Sequence, residues 1–519
     1  MMFGLLFLLV TGVGLVAPLN VLVVSTVSSP SHHIWVSRLT DGLLAKGHHV
    51  TELVLRPPEK HANKTSFYIT EKTYGEHPGL DLEQAGTHTL AEEIPFFYHF
   101  CEESINVILQ SSAFQSLVQH LKRDKPHFDV FLIDYVMAEP LLALGTLVNR
   151  PPVVALTAFN LPEDIMELMG SPYFASLLPY MGVGAHGGTP MDFGERVYNF
   201  VKWVMYKAYI YWSYRPFIEN TITTTFPNSP PLSALLENVS VSLVNTVPAL
   251  HGAMPLVPGV VEVGGLQIRP AKQLPDDILA WVDKKAAPHG FIFMSFGTNV
   301  RSANLAKDRR DAILRAFSRV KQRVLWKYED DDIMDKLPPN VRVAKWLPQN
   351  DLLGHPNIRC FVSHNGGLST QEASYHGVPI LGVPFFVDQT AYAEKVERTG
   401  LGRRLQYKHI TEERFYEALT DVLENPRYRE NIRRVGAALK DQKETPLERA
   451  VWWVEYVART GGAPHLRAPS RQLHWYQVFM LDVIAVLAAA LLLCSWLAFR
   501  SLSLIVSALP SSGKKTHKD

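Results

Sequence analysis

Apolar, strand-like runs alternate with helically spaced segments along most of this chain, and that alternation restricts it to layered α/β architecture. Residues 20–24 read as a buried strand and 25–31 as a Ser/Pro-rich loop. Residues 32–46 read as a helix, because Ile34, Val36, Leu39, Leu43 and Leu44 recur at helical intervals. Gly47 is a helix stop, and 50–55 resumes as strand. A βαβ unit of this kind dictates a parallel pair. Residues 128–133 form a further strand that ends in Asp134. A second series begins near Val261, after which Gly264, Gly265 and Pro270 look like a hinge or linker. Strands are expected at 291–294, 324–327, 341–344, 358–362 and 379–383, with helices over 312–320, up to Tyr375, and up to Gly400. Loops are expected at 295–298, 363–367 and 384–389. The expectation is two doubly wound domains, an N-terminal one over 18–260 and a C-terminal one over 261–460.

Composition narrows the class. The chain has 519 residues with 51 Lys plus Arg against 50 Asp plus Glu, a net charge of +1. That balance argues against nucleic-acid binding, which needs a basic face. Charged residues at 19% and apolar residues at 47% exclude a disordered chain. Three cysteines, Cys101, Cys360 and Cys494, are too few and too dispersed for a disulfide framework or a cysteine-rich zinc module.

Two apolar segments frame the body. Residues 3–16 have the length of a signal-peptide core, and 1–17 is expected to be a signal peptide. Residues 483–499 are 17 in number with neither charge nor proline, preceded by Trp475 and Tyr476 and followed by Arg500. That pattern is expected of a membrane span over 483–503 with interfacial aromatics and a snorkelling cation, after a juxtamembrane segment 461–482. Lys514, Lys515 and Lys518 place the tail 504–519 in the cytosol by the positive-inside rule. The expectation is a single-pass type I protein with its body in a secretory lumen. Two N-glycosylation sequons, at Asn63 and Asn238, fit that compartment.

An unusual stretch lies between the halves. Residues 198–217 hold nine aromatics in twenty positions. Such a stripe is read either as core packing, as an apolar substrate pocket, or as a membrane-contacting surface.

Ligands of open α/β sheets bind beyond the carboxyl ends of the strands. The small polar loop 363–367 opens a helix there, so its amides and the helix dipole favour a phosphate, with His364 as an added donor. Ser369 and Glu372 have capping-box spacing, while Glu372 could also accept from ribose hydroxyls. Asp388 and Gln389 could read sugar hydroxyls, Trp346 offers a flat face to a base, and Gln349 could bond the base edge. Taken singly, Trp346 reads as core and Asp388 as a cap.

Together, Trp346-Leu347-Pro348-Gln349, the run from Ser363 to Glu372, His376-Gly377-Val378-Pro379 and the run from Pro384 to Gln389 resemble the donor signature of UDP-glycosyltransferases, the family that includes UDP-glucuronosyltransferases. The resemblance implies a GT-B fold of two Rossmann-like domains with the active site in the cleft. It also implies that Trp346 stacks uracil, Gln349 contacts uracil or ribose, His364 and Gly366 meet the diphosphate, Glu372 holds ribose, and Asp388 and Gln389 contact the sugar. Ser295 and Thr298 fall in the family's other phosphate loop, and Ser369 lies within the signature. Asn365 departs from the Gly or Cys common at that position and is expected to add a side chain near the phosphates.

Sugar transfer to a hydroxyl needs a base, and His suits that task near neutral pH. His32 opens the first helix and Asp134 ends a strand of the same sheet, so a His–Asp pair without a serine is conceivable. On local pattern alone His32 reads as a cap or surface residue. The family spaces its base His fifteen residues before a helix-ending Gly, which selects His32 before Gly47 and makes His33 the runner-up. The implied function is inverting transfer of a glucosyl or glucuronosyl group from UDP-glucose or UDP-glucuronate to a small lipophilic acceptor, at the endoplasmic reticulum membrane. No metal and no prosthetic group is implied. A UDP-sugar-binding pseudoenzyme of the same fold is the alternative, and a soluble sugar-nucleotide epimerase is disfavoured by the leader and anchor. Oligomeric state is open.

Overall fold

A computed structural model describes residues 17–27, 29–71, 89–136, 138–159, 163–181, 190–385 and 388–508. The expected leader core, the tail lysines, and Phe386 and Val387 lie outside the described residues.

Residues 17–467 form one compact unit holding two parallel sheets. The first contains β1 (Asn20–Ser25), β2 (His49–Val54), β3 (Lys64–Tyr68), β4 (Val130–Asp134), β5 (Val153–Thr157), β6 (Val239–Val244) and β7 (Val260–Glu262) in the order β3-β2-β1-β4-β5-β6-β7. The second contains β8 (Phe291–Ser295), β9 (Arg323–Lys327), β10 (Val341–Ala344), β11 (Ile358–Ser363), β12 (Ile380–Gly382) and β13 (Gly402–Arg404) in the order β10-β9-β8-β11-β12-β13. Both sheets therefore reverse direction between their first and fourth strands, the topological switch point where ligands bind in such folds.

The central strands are buried on both faces, as parallel strands covered by helices must be, while the edge strands β3 and β10 are half-exposed. In β1, Val21 and Val23 face one layer while Leu22 and Val24 face the other, the period of two that a pleated strand imposes. The second sheet divides likewise, with Ile292 and Met294 on one side and Phe291 and Phe293 on the other.

One element departs from the expected domain limits. The helix Pro446–Arg459 packs on the first sheet rather than the second, and Ala450, Val451, Val454 and Val457 share a core with Val21, Val23 and Leu39. Those four residues form one apolar face at helical spacing. The neighbouring helix Pro30–Ala45 carries Gly42, where an added Cβ would stand 2.8 Å from Leu447, so glycine admits the close approach. The boundary drawn at residue 460 therefore misses a return of the chain to the first domain.

The expected linker is tied at both ends. Gly264 donates its N–H to Thr246 O at 2.9 Å. Arg269 clasps Asp351 of the second domain with bonds of 2.8 and 3.0 Å.

The aromatic stretch divides between two uses. The helix Phe193–Tyr209 runs into a π turn, Ile210–Tyr214, and then the helix Arg215–Thr225. Tyr206 and Tyr214 are buried, and Tyr209 stacks on Tyr98 with ring centroids 5.3 Å apart. Tyr198, Phe200, Tyr211 and Trp212 face outward.

The two sequons also differ. Asn238 donates its side-chain amide to Pro151 O at 2.8 Å and Ser240 is fully buried, so a glycan on Asn238 would break that bond. Asn63 lies half-buried in the turn before β3.

The described residues 468–508 form a second unit. Within it, Leu481–Ala508 is a helix of 28 residues, long and apolar enough to cross a membrane. It starts earlier and ends later than the expected span 483–503, because the apolar pattern resumes beyond Arg500.

Candidate active site

The two switch points carry the predicted residues. In the first sheet, β1 leads into the helix Pro30–Ala45, which places His32 in its first turn, and the adjacent β4 ends at Asp134. His32 Nδ1 and Asp134 Oδ2 are 2.8 Å apart, and both side chains are buried. An ionised carboxylate only accepts, so Nδ1 carries the proton and Nε2 is left as the basic nitrogen. The Phe159 ring meets the imidazole edge-on at 4.7 Å and limits its rotation. His33, one residue on, pairs instead with Ser37 Oγ at 3.3 Å. Burial and the Arg56 and Lys64 cations hold His33 down to about 4.

The second sheet repeats a single device on its two switch-point strands. Ser295 ends β8, Ser363 ends β11, and the two are register partners. Ser295 Oγ accepts the Gly297 N–H at 3.2 Å, and Ser363 Oγ accepts the Asn365 N–H at 3.1 Å. Two residues after each serine the backbone is left-handed, with φ +78° at Gly297 and +61° at Asn365. Asparagine is among the few side chains that tolerate this region. The Asn365 side chain is fully buried and packs against Gly382 of β12.

His364 lies between the two turns. An added Cβ on Gly297 would stand 2.7 Å from its Cε1, and one on Gly366 2.5 Å from its Nε2, so both glycines make room for the ring. Burial, with the Lys327 cation behind it, holds His364 down to about 4, which leaves it uncharged at neutral pH. Lys327 ends β9 and donates to Gly297 O at 2.6 Å and to Glu329 Oε1 at 3.0 Å. Sequence reasoning missed Lys327; the available signal was a lone cation closing an apolar strand. Thr298 follows the first turn and is exposed.

The helix Gly367–His376 begins directly after the second turn, with Gly366 as its N-cap. The capping box expected of Ser369 and Glu372 is therefore absent, since both sit inside the helix. Their side chains turn to Gln349, whose amide donates to Ser369 Oγ at 3.0 Å and to Glu372 Oε2 at 2.9 Å. Burial pushes the Glu372 carboxyl up to about 7, although Gln349 and Arg269 oppose it. Trp346, just beyond β10, is 69% exposed, so its reading as a core residue does not hold.

Asp388 is the first residue of the helix Asp388–Arg398 rather than part of a loop. Burial pushes its carboxyl up to about 6, offset by His32 in the other domain and by N–H groups of its own backbone and of Gly367. Asp388 thus joins the two switch points electrostatically. Gln389 is buried and accepts the Phe385 N–H at 2.9 Å.

The domains meet around this cleft. Asn299 donates to Ser29 Oγ at 2.9 Å, Arg398 bonds Glu195 at 2.7 Å, and His251 Nε2 lies 3.1 Å from Tyr392 Oη. None of these pairs was legible in the sequence, since their members are 141 to 270 residues apart.

The comparisons agree with this architecture. Residues 20–516 match the family model described as UDP-glucoronosyl and UDP-glucosyl transferase. The chain is 31% identical over 482 residues to UDP-glycosyltransferase UGT5 of Dactylopius coccus, covering 90% of this chain and 88% of that one. It is 30% identical to the 2-hydroxyacylsphingosine 1-beta-galactosyltransferase of Homo sapiens, covering 94% and 90%. Among solved structures, a UDP-glucosyltransferase from Polygonum tinctorium superposes with a TM-score of 0.58 at 18% identity, covering 85% of this chain and 99% of that one. With two Rossmann-like domains in the GT-B arrangement and a family match over nearly its whole length, the chain belongs to the UDP-glycosyltransferases, enzymes that transfer sugars from UDP.

Proposed function

We propose that the enzyme transfers a glucosyl or glucuronosyl group, with inversion, to a hydroxyl of a small lipophilic acceptor, and that His32 is the base. The observation that carries this reading is the 2.8 Å bond between His32 Nδ1 and Asp134 Oδ2 at the first switch point. His32 Nε2 takes the acceptor proton while the acceptor oxygen attacks the anomeric carbon. The bond from that carbon to the β-phosphate oxygen breaks, and UDP leaves with the electron pair. Asp134 stabilises the imidazolium that forms.

The donor lies across the second domain in this proposal. Trp346 stacks on uracil and Gln349 bonds the base or ribose, while Glu372 and Ser369 line the ribose. The diphosphate meets the two serine turns at Ser295–Thr298 and His364–Gly366, where amide N–H groups and the start of the helix Gly367–His376 supply donors. His364 serves there as an uncharged donor, consistent with its depressed pKa. Asp388 and Gln389 face the sugar. The long apolar helix anchors the protein in the endoplasmic reticulum membrane with the body in the lumen, in keeping with the enclosed, lipophile-rich setting such acceptors occupy.

The test supplies UDP-glucose, UDP-glucuronate or UDP-galactose with phenols and steroids to microsomes bearing the protein, and weighs the conjugates by mass. Product from glucose or glucuronate that is lost in His32→Ala is expected. Product that survives His32→Ala removes the base assignment, and product from UDP-galactose alone removes the donor assignment. UDP binding without turnover on any donor favours the pseudoenzyme.

A further inference from the structure

The helix Gly367–His376 turns two faces to two different partners. Ser369 and Glu372 meet Gln349 on the nucleotide side. Leu368 and Gln371 share another face, the interval of three that brings helical side chains together. Leu368 packs on the first-domain core that holds Ala158, Val263 and Leu266. Gln371 donates its side-chain amide to the backbone oxygen of Asn245 at 3.0 Å. Asn245 directly follows β6, and both residues are buried. Asn245 uses every polar group it has. Its backbone N–H donates to Thr157 O at 3.1 Å, its side-chain amide donates to Ala158 O at 2.7 Å, and its Oδ1 accepts the Gly265 N–H at 3.2 Å. Gln267 closes the group by donating to Leu368 O and to Gln371 Oε1, both at 3.3 Å. Ala158 directly precedes Phe159, whose ring meets His32 edge-on at 4.7 Å. A continuous set of buried hydrogen bonds thus runs from the segment beside the His32 ring, through Asn245, to the helix that opens behind the second serine turn.

We propose that Gln371 and Asn245 are positioning residues for sugar transfer: their amide contact sets the helix Gly367–His376 in register with the Ala158–Phe159 segment against which His32 rests. The inference rests on the reading of His32 as the base and is independent of which sugar or acceptor is used. Transfer needs His32 Nε2, the acceptor oxygen and the anomeric carbon in line, yet His32 and the helix Gly367–His376 belong to different sheets. Exposed contacts between the domains, such as Arg398 with Glu195, compete with water and hold that alignment weakly. The Asn245–Gln371 contact is buried, so a shift that parts the two leaves a donor and an acceptor unsatisfied, and the paired setting is strongly favoured. The Gln371 amide is taken up by Asn245 and Gln267, so Gln371 acts through its helix rather than on the donor itself.

The experiment uses the full chain in detergent. Gln371→Met keeps the length of the side chain and removes its amide, while Asn245→Ala spares the bond from Gln371 to the backbone oxygen and cuts the tie to Ala158. Each is made in the wild-type chain and in His32→Ala. Transfer to a phenol or steroid, from whichever of UDP-glucose, UDP-glucuronate and UDP-galactose turns over fastest, gives kcat, and calorimetric titration gives the affinity for UDP. In the wild-type chain each substitution is expected to lower kcat by about 10- to 100-fold, the cost of misplacing reacting groups by about 1 Å. UDP affinity is expected to stay within about twofold, since the loss is of alignment and not of nucleotide contacts. In His32→Ala the same substitutions are expected to cost less than about threefold, because groups that act as a unit are not lost twice. Equal losses in the two backgrounds overturn the proposal, as does an unchanged kcat. Loss of UDP binding in both variants assigns the two residues to the fold of the nucleotide site and also overturns it; where one variant alone loses UDP, the other decides. His32→Ala that turns over like the wild type removes the base reading and this inference with it, whereas equal losses in the two backgrounds remove this inference alone.

Discussion

Gln349 donates its side-chain amide to Glu372 Oε2 across 2.9 Å, joining the helix Gln349–Leu353 to the helix behind the second serine turn. The bond holds a carboxyl that burial has raised to about 7 in a set direction before any nucleotide arrives. Glu372→Ala is expected to raise the KM for UDP-sugar by about 10- to 150-fold, the equivalent of roughly 1.5–3 kcal/mol for hydrogen bonds to a charged group. Gln349→Ala should cost less, and the double variant less than the sum, because the two act as a pair. Steady-state kinetics on the two singles and the double measure that coupling.

Trp346 is exposed in the unliganded protein and touches no core. Trp346→Ala is expected to weaken UDP binding by roughly 1–3 kcal/mol, the range for a base stacked on an aromatic ring. The melting temperature without nucleotide should stay unchanged. Calorimetric titration with UDP, beside a thermal melt, separates the two effects.

His32→Ala is expected to lower kcat by roughly 10²–10⁴-fold with little change in donor KM, as for a lost general base. Asp134→Asn should follow in the same direction, because the amide no longer stabilises the imidazolium. His33→Ala should retain most activity, since His33 is paired with Ser37 and sits among cations. Single-turnover rates for the three variants test the assignment.

Asp388 carries a pKa of about 6, above the ordinary carboxylate value. If the ionised form accepts sugar hydroxyls, donor KM should rise as pH falls through about 6 and level off above 7. Asp388→Asn should raise KM at neutral pH and flatten this limb. The pH profile of kcat/KM for the donor, with and without the substitution, is the measurement.

Glu163 is buried at the start of the helix Glu163–Met169, and burial pushes its carboxyl up to about 8. A raised folded-state pKa means that the native state holds a proton the unfolded chain releases above about 4.5. Its stabilising contribution is complete below that value and is lost as pH rises toward 8. Thermal stability is expected to fall between pH 5 and 8, by up to about 1.4 kcal/mol for each pH unit from this group. Glu163→Gln should reduce the slope, as thermal melts across that range will show.

Much of the architecture was legible because it depends on local pattern. β1, β4, β8 and β11 are short apolar runs whose limits came within about two residues, and the serine-ended loops after them were apparent as breaks in that pattern. The residues proposed to hold the donor stood out in the sequence through their spacing relative to one another. The capping box was misread because Ser369 and Glu372 have the right interval but lie three residues too far into a helix that Gly366 already caps. Trp346 was misread in isolation because side-chain type says nothing of which way a strand's end turns.

By itself the sequence determined the alternation of strand and helix, the two-domain parallel architecture and the order of chemical groups along the chain, since apolar periodicity and turn chemistry act over a few residues. Only the tertiary structure decided which groups meet. Strand order placed β1 beside β4 and thereby brought His32 to Asp134, 102 positions away. The same order in the second sheet set the turns after Ser295 and Ser363 side by side. It took the closing of one domain on the other to bring Asp388 within electrostatic reach of His32, and the return of the helix Pro446–Arg459 to bury its apolar face on the first sheet. Such contacts form because apolar faces need partners and a parallel strand can find its neighbour only after a long crossover, so the partners are set by packing over the whole body rather than by proximity in the chain.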